Sequence, residues 1–392
     1  MRAVGIQSFA LSCALGNNLA EIWQQVSQGA TTGMKLDKQF LFEGSTYLGR
    51  AHFVKSDLSS FYECRVNQFL ASVALQLDQT KLNSFIKKTP ERLGVILGTS
   101  TSGVDELEIA LAQFDQIGVW TETYQVHHQR MANVSDFLAD YLGAKGPVMS
   151  VSTACSSSAK ALLSAQRWLN QGICDAVVVG GVDVLCQLTV NGFNALGALS
   201  AEKSLPFSAN RQGINIGEAA ALFLLTRENA PIKLLGGAET SDAHHISAPD
   251  PDGQGAIDAM NGALYASGLQ AEQIDYVNLH GTATSQNDAM ESIAVNKVFG
   301  SEVWCSSTKS MTGHTLGAAG ALEIGLCALS MSEYNINGQY LPHVYDGFYD
   351  ETLEPLNLVK ANNALGKPQY ALSNSFAFGG SNAALILGAV DV

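Results

Sequence analysis

Short, continuously apolar, β-rich runs alternate along this chain with helix-like runs, and that alternation limits the folds open to it. "RLGVILGTS" (92–100), "PVMSVSTA" (147–154), "DAVVVGGVDVL" (175–185) and "AALFLLT" (220–226) come first. "IKLLGGAETS" (232–241), "IDYVNLHG" (274–281), "EVWCSS" (302–307), "YALSNSFAFGG" (370–380) and "NAALILG" (382–388) follow. Strands separated by helices predict an α/β architecture. Runs that are apolar throughout, rather than alternating, predict sheets covered on both faces. With 392 residues, 46% of them hydrophobic, the chain is too long for one ordinary domain. Two similar halves suit it better. A small-residue strand opens each (Ala3–Gly5, Ile232–Gly237), and a strand in each ends on a reactive residue type (Cys155, His280). Each also carries a Gly-Gly turn in a hydrophobic strand pair (Gly180–Gly181, Gly379–Gly380). The outline predicts a duplication, with halves at 1–231 and 232–392.

Charge and cysteine usage exclude several classes of function. The formal charge is −14 and no stretch is rich in Lys and Arg, so no nucleic acid is expected as a ligand. No run of eighteen or more uncharged apolar residues appears, so no membrane span is expected. The opening "MRAVGIQSFALSCALG" lacks a clear cleavage site and reads as a first strand, not a signal peptide. Seven scattered cysteines, with no CxxC and no zinc-type cluster, read as reduced thiols of a cytoplasmic protein.

One of those cysteines is placed differently. In "MSVSTACSSSAKALLSAQRWL" (149–169), Cys155 lies between a β-like run and a helix expected over Ser156–Leu169. The first amides of such a helix lack partners, and its dipole puts roughly half a positive charge there, which favours thiolate. The backbone N–H of Cys155 would face an attacked carbonyl. A buried structural cysteine before an ordinary serine cap explains the same stretch equally well. Two histidines shift the balance. His280 ends a strand before Gly281, and His314 lies in a Gly-rich loop before a small-residue helix that begins near Leu316. A cysteine and two histidines in three such loops suit one shared pocket and nucleophilic catalysis on a thioester or amide.

These motifs, with "GGVDVL" (180–185), "LPFSANRQGINIGEAAALFLL" (205–225), "NLHGTATSQNDAMES" (278–292), "STKSMTGHTLGAAGALE" (307–323) and "LSNSFAFGGSNAALIL" (372–387), run almost end to end. On them the chain resembles the elongating-type β-ketoacyl-acyl-carrier-protein synthases of the thiolase-fold superfamily. The resemblance implies a duplicated thiolase-like α/β fold with five layers, α-β-α-β-α. It implies Cys155 as the acyl-accepting nucleophile and His280 and His314 as the pair assisting malonyl decarboxylation. Lys309 matches the active-site lysine, and Glu291 the acid that accompanies it as structural support. Phe376 and Phe378 match the gating phenylalanines, with the Phe378 N–H as second oxyanion donor. No metal and no soluble cofactor are implied. The implied partners are an acyl carrier protein, acyl- and malonyl-loaded, and a second ketosynthase-type subunit, identical or homologous. The dimer would form through Met149–Ser152, with residues 124–134 lining the neighbour's acyl tunnel. His245 matches a family position and reads as structural; His127 and His128 match none.

The chain also departs from the pattern. Ser208 and Gln212 stand where aspartates usually flank Arg211, Gln68 replaces a second cation beside Arg65, and Ala377 replaces a glycine, which should stiffen the phenylalanine loop. Lys203, Arg211, Arg65 and Arg130 remain as a small docking patch for an acidic carrier. The departures point to a dedicated carrier protein or a specialised polyketide-like or aryl-polyene-like pathway. A catalytically silent, chain-length-determining partner subunit is the main rival. Cys155, His280, His314 and Lys309, all retained, argue against it.

Overall fold

A computed structural model describes residues 2–121 and 124–390. Its strands are, in chain order, Val4–Cys13 (β1), Met34–Asp37 (β2), Thr46–Gly49 (β3), Leu93–Gly98 (β4), Val148–Val151 (β5), Ala176–Asp183 (β6), Ile216–Gly217 (β7), Ala219–Thr226 (β8), Ile232–Ser241 (β9), Tyr276–Asn278 (β10), Trp304–Ser306 (β11), Asn357–Leu358 (β12), Tyr370–Ala377 (β13) and Ser381–Ala389 (β14). Its helices are Leu19–Val26 (α1), Arg65–Ala74 (α2), Gln79–Lys88 (α3), Val104–Ile117 (α4), Asn133–Leu142 (α5), Ser157–Asn170 (α6), Gln187–Ala195 (α7), Gln254–Ser267 (α8), Ser285–Phe299 (α9), Lys309–Thr312 (α10) and Ala319–Met331 (α11).

Eleven strands form one sheet in the order β12-β11-β10-β13-β14-β9-β1-β8-β6-β4-β5. The order repeats itself about its middle. On one side β1, β8 and β6 pair antiparallel, and β6, β4 and β5 pair parallel. On the other side β9, β14 and β13 pair antiparallel, and β13, β10 and β11 pair parallel. Among the described residues the strands of the two arrays pair through Val4 and Gly5 of β1 against Leu234 and Lys233 of β9.

The apolar runs are explained by what covers them. β6 and β8 are buried along their whole length. Helices α2 and α5 pack on one face of the first array, and α8 and α9 on the corresponding face of the second. Between the arrays lie α6 and α11, and every residue of α11 is buried. A helix buried all round belongs between two layers, because no face of it needs to meet water. The result is the α-β-α-β-α stack of a thiolase-like α/β fold.

One sequence expectation fails here. Gly180 and Gly181 are not a turn; they lie inside β6. A side chain at either would collide with the Ala221 backbone or with Ser158 of α6, so these glycines serve close packing. Gly379 and Gly380 do form a turn, with φ of +83° and +71°.

Candidate active site

β5 ends at Val151 and α6 begins at Ser157, so Cys155 stands on a short connection, not at a strand end. Ala154 takes φ +50°, a left-handed conformation that residues with a Cβ rarely adopt. That strained residue turns the chain sharply and presents Cys155 beside the first turn of α6. Gly98 lets the end of β4 lie against the same turn, where a side chain would strike the backbone of Ser157 and Ser158.

His314 follows α10 and Gly313, whose φ is +71°. Its backbone is pinned on both sides. Its N–H donates to Asn215 O (2.7 Å), and its carbonyl accepts from the Gly217 N–H (3.0 Å). This places Nε2 2.9 Å from the Cys155 sulfur. His280 comes just after β10. The two imidazole centroids are 5.3 Å apart and nearly perpendicular, at 84°. The sulfur and one ring nitrogen of each histidine lie within 4.8 Å of one another. The three side chains therefore converge, as the sequence led us to expect.

Burial sets their protonation. It pushes the Cys155 thiol up to about 12; the Lys309 charge and the N–H groups of Phe378 and Cys155 pull the other way without overcoming it. The resting group is a thiol, not the thiolate that the helix dipole suggested, because removal from water outweighs a half charge at a helix end. Burial first, and Lys309 second, hold both histidines well below the usual imidazole range, so both are neutral.

Lys309 is 2% exposed, as is its partner, and it donates to Glu323 and to the His280 carbonyl (2.5 Å). Its Nζ also lies 3.4 Å from His280 Nδ1. An ammonium donating toward Nδ1 leaves the ring proton on Nε2, which becomes a donor aimed into the cavity. The same tautomer makes His280 a poor metal ligand, although cysteine and histidine are suitable donor types. Around these groups is a cavity of about 390 Å³, lined also by Phe193, Phe376 and Phe378.

Glu291 is not the companion of Lys309. Its carboxylate accepts the N–H groups of His280 (2.7 Å) and Gly281 (2.6 Å) and so shapes the histidine's turn. Burial raises its pKa to about 7 against those two bonds. The acid beside Lys309 is Glu323, which sequence reasoning missed. The signal was present: Glu323 is the one charge in the otherwise apolar α11, "AGALEIGLCALSM". A lone charge in a buried helix requires a buried partner.

The expected basic docking patch is largely consumed inside the fold. Arg65 pairs with buried Glu218 at 2.5 Å and stacks over Phe53. Arg211 pairs with Asp350 at 2.5 Å, and Lys203 donates to Thr31 at 2.9 Å. Gln68 is buried, bonded to Ser56 and Glu63, and is no surface position at all. Among the described residues Arg130 and Lys203, of the four, have no carboxylate within 4 Å. Ala377 lies in β13 opposite Ser381, outside the turn proper. His245 is exposed, and its Nδ1 accepts the Ser247 and Ala248 N–H groups (3.2 Å each), ordering a surface loop. His127 and His128 both reach the Phe61 carbonyl, which ties residues 51–64 to the chain before α5. His343 was unremarked in the sequence; it is buried, accepts from the Ser307 N–H and bonds the Pro206 carbonyl.

A duplicated five-layer fold with a cysteine and two neutral histidines at its centre defines a thiolase-like acyl-transferring enzyme. Comparison with known proteins narrows the class. Residues 1–230 match the "Beta-ketoacyl synthase, N-terminal domain" and residues 233–340 the "Beta-ketoacyl synthase, C-terminal domain". The "3-oxoacyl-[acyl-carrier-protein] synthase 2" of Synechocystis sp. is 30% identical, across 95% of this chain and 94% of that protein. A chain of the structure described as "Ketosynthase (ApeO) in Complex with its Chain Length Factor (ApeC) from Xenorhabdus doucetiae" is 40% identical, covers 99% of this chain and 98% of its own, and superposes with a TM-score of 0.94. A chain of "The ishigamide ketosynthase/chain length factor" is 26% identical over 100% of both chains, with a TM-score of 0.87. The chain belongs to the β-ketoacyl synthase family, acyltransferases that form carbon–carbon bonds.

Proposed function

We propose that this chain is a catalytically active synthase that extends an acyl chain by two carbons with malonyl-acyl-carrier-protein. The observation that carries this reading is the 2.9 Å approach of His314 Nε2 to Cys155, with His280 completing the cluster. The thiol attacks the acyl thioester, Nε2 of His314 takes the thiol proton, and the departing carrier thiol receives it. The N–H groups of Cys155 and Phe378, which both act to lower the pKa of the thiol, are the donors for the oxyanion that forms. Malonyl-carrier then loses CO₂. His280 Nε2–H donates to the enolate oxygen. As base in the first step His314 carries its ring proton on Nδ1; because Nδ1 has no partner among the described residues, that proton then shifts to Nε2, where it donates as well. The enolate carbon attacks the Cys155 thioester, and the sulfur leaves and regains a proton. Phe376 and Phe378 flank the entrance.

We read residues 1–231 and 232–392 as the two halves, on the strength of the repeated strand order. Seven unpaired buried cysteines support a cytoplasmic setting. No helix among the described residues is long and apolar enough to cross a membrane. The pairing partner is a ketosynthase-type subunit, identical or homologous, joined along β5. That strand is a sheet edge and leaves Val148 40% exposed. The stacked Phe114, Trp120 and Tyr124 supply further partly exposed aromatic surface. With Arg65 and Arg211 committed to carboxylates of this chain, the docking face suits a dedicated carrier protein of a specialised polyketide-type pathway. Tight binding that falls steeply with added salt would contradict that assignment.

The deciding experiment is product analysis with a panel of acyl-carriers and malonyl-carrier, alongside Cys155→Ala and His314→Ala. A silent chain-length subunit would leave Cys155 unmodified in mass spectrometry after incubation with acyl-carrier. Normal condensation by His314→Ala would overturn its assigned role.

A further inference from the structure

Cys155 is followed by three serines, and the structure gives each a different task. Ser158 Oγ accepts the Ala321 N–H at 2.8 Å and joins the first turns of α6 and α11. Ser157 Oγ donates to Ala154 O and accepts the Thr153 N–H (2.9 Å), which bridges the strained residue before the nucleophile. Ser156 is fully buried and reaches across the molecule: its Oγ lies 3.0 Å from Ser381 Oγ, 225 positions away.

That contact joins the two sides of the oxyanion site. Ser156 is the residue directly after Cys155, whose N–H is one donor. Ser381 pairs with Ala377 across the hairpin of β13 and β14, closing the turn Phe378–Gly380. The Phe378 N–H on that turn is the other donor. The far side of the turn is tied to another loop, by the Gly379 N–H to Ile246 O (2.8 Å) and the Asp242 N–H to Gly380 O (2.9 Å); the Ser156 contact ties its near side to the Cys155 turn. The hydrogens can be assigned. Ser156 Oγ–H donates to Thr153 O at 2.8 Å, so its oxygen accepts from Ser381.

We infer that Ser156 and Ser381 are positioning residues, a hydroxyl latch that holds the Phe378 turn against the Cys155 turn and so sets the spacing of the two oxyanion donors. The inference rests on the proposed role of Cys155 as acyl acceptor. The latch acts only when an oxyanion forms. Transfer of an acyl group from a thioester passes through one; alkylation of the same sulfur by iodoacetamide does not.

The test uses Ser156→Ala, Ser381→Ala, the double variant and Ser381→Thr, which keeps the hydroxyl. Mass spectrometry follows acylation of Cys155 by an acyl-carrier, and iodoacetamide alkylation is timed in parallel. Each single alanine variant should slow acylation about ten- to a hundredfold with KM little changed. The double variant should be no slower than the slower single, Ser381→Thr should recover the rate, and alkylation should stay within about twofold throughout. Alkylation falling in step with acylation, or losses that multiply in the double variant, would overturn the latch. An absence of acyl label on wild-type Cys155 would instead sink the nucleophile assignment itself.

Discussion

The two five-strand arrays share one topology and have divided the labour. The array of β1, β8, β6, β4 and β5 presents Cys155, the proposed nucleophile; that of β9, β14, β13, β10 and β11 presents the two imidazoles and the Phe378 N–H, the proposed second oxyanion donor. Their outer edges differ too. β11 is covered by β12, whereas β5 has no further neighbour in the sheet. The contrast teaches that duplication supplied two equivalent loop sets, and that the two ends of the sheet differ, one finished by the two-residue β12 and the other by the four-residue β5.

Separating the half-reactions should show the division most strongly. Cys155→Ala should lose all acyl label yet still release CO₂ from malonyl-carrier. His280→Ala should acylate near the normal rate and lose about 100- to 1000-fold in decarboxylation, as when an oxyanion donor is removed. If both variants failed both steps, the two arrays would not be separable. Next in size is the central pair. Glu323→Gln strands a buried Lys309 and should cost about 3–5 kcal/mol of stability in denaturant titration. Glu291→Gln keeps an acceptor for one of its two N–H groups and should cost less, acting on decarboxylation through His280.

The edges offer a third comparison. Val148→Lys on the β5 edge should reduce the native mass to that of a single chain, while Asn357→Lys on the β12 edge should leave it unchanged. The smallest effect is in acid. Burial lowers His343 to about 4 from an ordinary 6.5, so between those values the unfolded chain binds the extra proton and stability falls with falling pH. Raised carboxylates such as Glu291 act in the opposite sense. The informative quantity is therefore the stability gap between wild type and His343→Gln. That gap should narrow from pH 6.5 toward 4, by at most about 1.4 kcal/mol per pH unit. A constant gap would contradict it.

Much of the fold was legible because its causes are local. "AVVVGGV" and "AALFLL" are apolar or glycine on both faces of the pleat, which suits a doubly covered strand. Cys155, His280 and His314 were legible by motif. What was misread depended on distant partners. Glu291 is eleven positions from His280, and nothing in that spacing shows which cation it meets. Gly180–Gly181 looks like a turn until Ser158 is seen against it. Arg65 looks like a surface cation until buried Glu218 is found beneath it.

The amino-acid sequence alone determined the α/β layering, the duplication's outline and the choice of Cys155, His280 and His314 as candidates, because patterning and residue chemistry act over a few positions. Tertiary structure alone decided the thiol state of Cys155, the Lys309–Glu323 pair, the internal use of the basic residues and the Ser156–Ser381 contact. Each of these depends on removal from water, or on a partner more than a dozen positions away. Burial and long-range proximity become defined only when the chain has closed on itself.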